Sequence, residues 1–441
     1  GPGSQILYIS TPSATKVNYT VRYGGDIGTT ANSGTPFATG QVINGDPKQV
    51  IVANAPPDNT VQWSEVFVNP NEVEVILDKG FVIEADSEIY VSYRFYSVNE
   101  FQAGAIVSKG VSALGTKFRP GMLRNNTGGH IGFVSVMATE NNTEVNFDLK
   151  DGVQTTGGQN DHFVVLNKNQ SYIIANELSS FSLTGSLVTS DKPIVVNAGG
   201  IGTFDVNSSG QDYGMDQIVD ASLVGSEYIF IKGIASNSIE TVLIIADQDN
   251  TEIYVNGEEA VYQTLNSGDF VIIKGDKFNS DGNMYVSTSR SDDKLFAYQG
   301  TGKDYTANAP AANQAMYFVP PLNCATKGDV NEIPLINEVA GKTFDDQATV
   351  SFITKDGATI LINGNVVTSP PFNASPKPVT GKDDYVTYKV ENLSGNITVE
   401  GNDELYVAYV NSNNAATTAG FYSGFTIPPT VELDAELKTL G

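Results

Sequence analysis

Two short sequence patterns recur along this 441-residue chain, and the repeat limits the folds that the chain can adopt. The first pattern is a β-forming run, a polar turn and a second β-forming run, as in VMATENNTEVNFDL, IIADQDNTEIYVNG and FITKDGATILINGN. If Val145, Ile253 and Ile360 are equivalent positions, the copies lie 108 and 107 residues apart. A period of this length predicts a series of similar modules, each built from several secondary-structure elements.

The second pattern consists of a glycine, a short strand, an acidic turn and another strand. Its copies begin at Gly80, Gly185, Gly282 and Gly395, so it occurs once more than the first pattern. Further β-forming runs lie between the two patterns, which gives about six to eight short strands in each module. The first module is predicted to be divergent, because the first pattern is not recognisable there.

Short strands in this number predict an all-β fold of tandem, jelly-roll-like β-sandwich modules of about 100 residues. The predicted modules cover residues 5–112, 113–222, 223–330 and 331–429. Residues 1–4 read as the remnant of a protease-cleavage site, and residues 430–441 read as a tail within something longer. The alternative is a β-propeller with about two four-stranded blades per module. A blade repeat is usually about 40 to 50 residues long, which favours the sandwiches.

The charge balance indicates which partners to expect. The chain has 25 basic and 50 acidic residues and a net charge of −25, which repels nucleic acid and anionic lipid. No run of eighteen apolar residues occurs, so direct membrane insertion is not expected. Few charged residues together with many Gly, Asn, Ser and Thr residues are typical of secreted or cell-surface β-proteins.

Catalytic patterns are weak. The only two histidines, His130 and His162, lie near no G-x-S-x-G elbow, and the single cysteine, Cys324, is expected to be a small buried hydrophobe. The chain is therefore predicted not to be an enzyme. A glycan-active enzyme remains an alternative, and it would need a cleft in which two carboxylates converge.

The acidic stretch ADQDNTEIYVNG invites comparison with a calcium loop. Asp247 and Asp249 fit the pattern D-x-[DN]-x-[DN]-G, but Thr251 and Glu252 break it, and the sibling loops do not share these acids. We therefore expect a narrow hairpin whose carboxylates point into water, and no cofactor. Calcium bound by Asp247, Asp249 and Glu252 is the alternative. A water-facing Asp247 could be replaced by alanine without a change in stability.

Aromatic residues are the remaining candidates for ligand binding. Tyr93, Tyr298 and Tyr409 occupy equivalent places in three copies of the second pattern. Repetition at one structural position favours a packing role. The ligand-binding alternative is that these rings, with the single tryptophan Trp63, are exposed and stack on sugars.

Four longer segments carry a family resemblance: FQAGAIVSKGVSALGTKFRPGM, GMDQIVDASLVGSEYIFIKG, QAMYFVPPLNC and ELYVAYVNSNNAATTAGFYSGF. They resemble the large surface proteins of gliding Bacteroidetes, which share the domain named after the N-terminal region of the mucus-associated IgG Fc-binding protein. The resemblance implies a secreted, type IX-exported region of a longer gliding-motility-associated surface protein.

These observations predict a non-enzymatic extracellular adhesin region that binds glycan or protein ligands. A structural stalk that projects another binding region is the alternative. An exposed aromatic or polar cleft would favour the adhesin, whereas uniformly solvated acidic faces would favour the stalk.

Overall fold

A computed structural model describes residues 2–54, 66–98, 101–123, 131–177, 183–204, 212–304, 312–323, 330–413, 416–423 and 425. Trp63, His130 and Cys324 lie outside the described residues. Within these ranges, no helix has the length and apolar character needed to cross a membrane.

The described residues form antiparallel β-sheets, and this confirms the predicted all-β, sandwich-like class. Three short 3-10 helices accompany the described strands, at Pro70–Glu72, Gly110–Ala113 and Gly275–Lys277. The strands fall into four groups in chain order, which we call modules 1 to 4. The boundaries of the predicted modules themselves stay a prediction.

The strands of modules 1 and 2 have the following bounds. Module 1 contains β1 (Pro2–Ser10), β2 (Val17–Tyr23), β3 (Pro36–Val42), β4 (Lys48–Ala53), β5 (Phe81–Ala85), β6 (Tyr90–Ser97) and β7 (Ala103–Val107). Module 2 contains β8 (Gly115–Phe118), β9 (Ile131–Ala138), β10 (Thr143–Asp148), β11 (Asp161–Leu166), β12 (Ser171–Glu177), β13 (Leu187–Gly202) and β14 (Asp212–Ile218). The first strand thus begins within residues 1–4, which were set aside in the prediction.

Modules 3 and 4 continue the series. Module 3 contains β15 (Glu227–Ile231), β16 (Thr241–Ala246), β17 (Thr251–Val255), β18 (Gln263–Leu265), β19 (Phe270–Ile273), β20 (Asn283–Thr288), β21 (Leu295–Asp304) and β22 (Ala312–Phe318). Module 4 contains β23 (Val330–Ile333), β24 (Glu338–Val339), β25 (Lys342–Thr343), β26 (Thr349–Lys355), β27 (Ile360–Ile362), β28 (Asn365–Val366), β29 (Lys377–Pro378), β30 (Tyr385–Val390), β31 (Ile397–Gly401), β32 (Leu405–Ser412) and β33 (Thr417–Phe421).

The same strand pairing recurs in every module. In module 3 the first sheet has the order β19-β16-β21-β22 and the second sheet has the order β18-β17-β20-β15. Module 1 repeats this with β4-β1-β6-β7 and β3-β2-β5, and module 4 with β30-β26-β32-β33 and β28-β27-β31-β23. Module 2 forms one seven-stranded sheet, in which the long strand β13 pairs with β10 through its first half and with β9 through its second.

The turn of the first sequence pattern connects the two sheets of a module. Strand β16 ends at Ala246 and belongs to the first sheet, whereas β17 begins at Thr251 and belongs to the second. The predicted narrow hairpin is therefore wrong, because the two strands pair with other partners. Strands β1 and β2 of module 1 are related in the same way, so that module has the crossover although its sequence does not reveal it.

Neighbouring modules share their cores through the first sheets. On β16, Val242 and Ile244 pack with Ile253 of the same module, while Leu243 and Ile245 pack into the core of module 2. Both faces of the strand are consequently buried, and its side chains form an unbroken apolar run. The modules are thus layers of one packed body and not independent beads.

The last strand of each first sheet contacts those of its neighbours in a closed order, β7-β14-β22-β33-β7. Buried Asp212 on β14 accepts hydrogen bonds from the backbone N–H groups of Ala103 (2.6 Å) and Thr417 (2.8 Å). Asp216 on the same strand accepts one from the N–H of Phe318 at 2.9 Å. A β-propeller has a similar cyclic order, but here modules 1, 3 and 4 each add a second sheet, as a sandwich does, and in module 2 the long strand β13 carries the additional strand pairs.

Arg94 lies between modules 1 and 4 and is fully buried. Its guanidinium donates hydrogen bonds to the carbonyl oxygens of Leu335 (3.0 Å) and Glu338 (3.1 Å) and to the hydroxyl of Tyr422 (3.0 Å). It also lies over the ring of Tyr8, 4.4 Å from the ring centroid. This side chain joins the first module to the last.

Candidate functional site

The three candidate tyrosines are buried, so they offer no surface on which a sugar could stack. Tyr298 and Tyr409 are fully buried, and Tyr93 is only 9% exposed. The hydroxyl of Tyr298 donates to the carbonyl oxygen of Arg119 at 2.8 Å, and that of Tyr93 donates to Gln5 Oε1 at 2.9 Å. Their shared position in the repeat lies on first-sheet strands, which are buried on both faces.

Asp247 is part of a buried ion-pair network and does not point into water as predicted. It is 7% exposed, and its carboxylate accepts hydrogen bonds from Arg119 Nε (2.8 Å) and Lys117 Nζ (2.7 Å) of module 2. The same guanidinium also donates to the carbonyl oxygen of Gly185 (2.9 Å) and to Ser267 Oγ (2.6 Å). The acidic turn therefore fastens module 3 to module 2.

The other two acids of this turn have separate partners. Asp249 accepts a hydrogen bond from the N–H of Ser267 at 2.9 Å, and Glu252 accepts one from the hydroxyl of Tyr254 at 3.0 Å. Across the described ranges, no three His, Cys, Asp or Glu side chains are grouped closely enough to hold a metal ion. The turn does not gather its carboxylates as a calcium site would.

An open cleft of about 930 Å³ lies between modules 3 and 4. Module 3 lines it with residues 231–233 and 281–282, and module 4 lines it chiefly with residues 371–375 and 387–394. Its volume is in the range of small-molecule binding sites, about 300 to 1,000 Å³. It is a polar and aromatic cleft of the kind that favours the adhesin hypothesis over the stalk.

The loop between β28 and β29 forms one wall of this cleft. The N–H groups of Phe372 and Asn373 both donate to the carbonyl oxygen of Ser369 at 3.0 Å, and the N–H of Ala374 donates to that of Val367 at 2.8 Å. The half-buried ring of Phe372 packs against the core of module 4 and also lines the cleft. The loop thus presents an aromatic surface in a fixed position.

Buried hydrogen bonds between the modules hold the two walls together. Asn283 Nδ2 of module 3 donates to Thr387 Oγ1 and to the carbonyl oxygen of Pro378, both at 3.0 Å. Lys382 and Glu227 form an ion pair at 2.8 Å, and this pairing lowers the pKa of Glu227 against the opposing effect of burial. A cleft with fixed walls loses little freedom when a ligand enters.

Lys389 lines the cleft and has few partners. Its side chain is 27% exposed, and its Nζ is 3.4 Å from the carbonyl oxygen of Gly233 and 3.8 Å from Glu391 Oε1. Burial lowers the pKa of Lys389, although the charges of Glu391 and Glu240 oppose this. The ammonium group is therefore partly desolvated and incompletely paired.

A small enclosed cavity adjoins the cleft at Lys389. Its volume is about 10 Å³, and Gln347 and Thr349 contribute to its lining. Gln347 Oε1 and Thr349 Oγ1 are buried acceptors without a hydrogen-bond partner in the protein. Buried polar atoms without a protein partner make the lining of this cavity polar.

The cleft residues were not singled out from the sequence. Lys232 lies far from Lys377 and Lys389 in the chain, and no motif connects the three lysines. One available signal was the stretch SPPFNASPKPV (369–379), a proline-rich segment that has no counterpart in the other copies of the repeat. Such breaks in a repeat are places where modules acquire binding loops.

Comparison with known proteins identifies a family. A family model described as IgGFc binding protein matches residues 104–411, from within β7 to within β32. A search of curated proteins finds no match.

Proposed function

The chain belongs to the IgGFc binding protein family, and we propose that it is a non-enzymatic, extracellular adhesin region that binds a glycan or protein ligand in the cleft between modules 3 and 4. The cleft is the observation that carries the proposal. It combines an aromatic ring, Phe372, with exposed polar side chains such as Asn373 and Lys377.

A binding role is better supported than a stalk role. A stalk needs only solvated faces, whereas this structure has a preformed concave surface between two modules. The net charge of −25 keeps such a region soluble and discourages nonspecific contact with anionic surfaces. The resemblance to gliding-motility-associated proteins supports a place on the cell surface, within a longer type IX-exported protein.

The test is a binding screen of the purified chain on glycan and protein arrays, with immunoglobulin Fc among the proteins. We expect a ligand whose affinity falls by about tenfold or more in Phe372→Ala, because buried aromatic contacts dominate binding energy. Phe163→Ala is the matched control, since Phe163 is 59% exposed on β11 of module 2, outside the cleft. Absence of any ligand, or an equal loss in both variants, would overturn the proposal.

A further inference from the structure

We infer that the ligand of this cleft is a short acidic oligosaccharide, whose carboxylate is held by Lys389 with Lys232 and Lys377 nearby. The inference rests on the proposed function and specifies the ligand class of the same site.

The ammonium group of Lys389 has donors to spare. A lysine carries three N–H donors, and hydrogen bonds from nitrogen to oxygen usually have lengths of about 2.7 to 3.2 Å. The contact to Gly233 O at 3.4 Å is therefore weak, and Glu391 Oε1 at 3.8 Å lies beyond hydrogen-bond distance. The side chain of Lys389 is 27% exposed, so an anion entering the cleft would complete the coordination of a partly desolvated ammonium group.

The charges lining the cleft favour an anion. Three lysines face two acids, Asp281 and Glu391, in a chain whose acidic residues are twice as numerous as its basic residues. Lys232 Nζ donates to Asn237 Oδ1 at 2.6 Å, and the side chain of Lys377 is exposed. The cleft is thus a local exception to the acidic surface.

The overall charge also limits the size of the anion. A polyanion such as nucleic acid would extend beyond the cleft and meet the repulsion of a protein with net charge −25. A short ligand with an isolated carboxylate gains the attraction of the lysines and avoids most of that repulsion. The volume of about 930 Å³ suits such a ligand.

The other side chains of the cleft suit a hydroxyl-rich ligand. Asn373, Asn392, Ser375 and Ser394 are exposed along its rim, and amides and hydroxyls both donate and accept hydrogen bonds. The ring of Phe372 supplies a flat apolar surface for the C–H face of a sugar. An acidic peptide is the competing ligand in the test, because β30 borders the cleft and has a strand partner on its outer side only at Val386 and Thr387.

The test compares the binding of acidic glycans with that of their neutral methyl esters. One pair is sialyllactose and its carboxyl methyl ester, and the other is trigalacturonic acid and its methyl ester. We expect at least one free acid to bind about tenfold or more tightly than its ester. Lys389→Met should remove that preference, because hydrogen bonds to charged groups are the stronger ones. Methionine is close to lysine in length and buries no charge, so the variant should fold. Lys168→Ala, at an exposed site in module 2, is the control and should change nothing.

The outcomes separate the two proposals. Equal binding of acids and esters, or binding only of an acidic peptide or protein, would overturn the saccharide inference. If Phe372→Ala weakened the binding of whichever of these ligands was found, the proposed function would stand. Failure of every glycan and protein to bind would overturn both.

Discussion

Replacing Asp247 by alanine tests the view that the acidic turn is an interface ion pair. The substitution leaves buried Arg119 without its carboxylate partner, although hydrogen bonds to Gly185 O and Ser267 Oγ remain. Breaking one side of a buried pair costs about 3 to 5 kcal/mol. Lys117 is 41% exposed at its side chain and can turn to water, so we expect the low end, about 3 kcal/mol. Urea-induced unfolding followed by tryptophan and tyrosine fluorescence would measure the loss.

Asp249→Ala is the matched control, because Asp249 is an exposed acid of the same turn. We expect it to change the unfolding free energy by less than about 0.5 kcal/mol. The double variant Asp247→Ala, Arg119→Met should recover part of the loss, because it removes both buried charges. Equal losses of unfolding free energy in the two alanine variants would refute the ion-pair assignment. A loss of stability on calcium chelation that occurs in the parent protein and not in Asp247→Ala would also refute it.

Two further predictions concern modules 1 and 4. Burial raises the pKa of Glu332 from 4.5 to about 7, with Asp46 adding to the shift and the Gly45 amide opposing it. A carboxyl group whose pKa is higher in the folded state than in the unfolded state stabilises the fold while it is protonated. The unfolding free energy should therefore fall by up to roughly 3 kcal/mol as the pH rises from 5 to 8. Glu332→Gln should abolish this dependence in urea unfolding at the two pH values, and an unchanged pH profile would contradict the assignment. Arg94→Met should cost about 3 kcal/mol, since it removes three hydrogen bonds of a buried charged group that join modules 1 and 4. The loss of stability should make the variant more rapidly cleaved by protease than the parent protein. Equal cleavage rates would contradict a role for Arg94 in joining the modules.

The repeat was sufficient to predict the all-β class, because turn residues and alternating strands depend on local sequence. Strand partners were not predictable in the same way. The turn between Ala246 and Thr251 has the residues of a hairpin, yet its strands belong to different sheets. Local preferences for a turn are the same in both arrangements, and only the packing of the two sheets distinguishes them.

The candidate site depends on contacts between distant parts of the chain. Asp247 meets Arg119 across 128 residues, which is why a solvated acid was the simpler expectation from the sequence. The three tyrosines of the second pattern lie on first-sheet strands, and Tyr298 is buried in the core of module 2, a contact between modules that the repeat does not reveal. Likewise, the cleft exists only because module 4 packs beside module 3, bringing Lys232 near Lys389.

Hydrogen–deuterium exchange of the full chain, with and without its tightest array ligand, tests most directly whether the cleft is the binding site. The account predicts that ligand protects residues 231–233, 371–377 and 387–394 and leaves the strands of module 2 unchanged. Protection confined to modules 1 and 2, with exchange in the cleft segments unaltered, would contradict it.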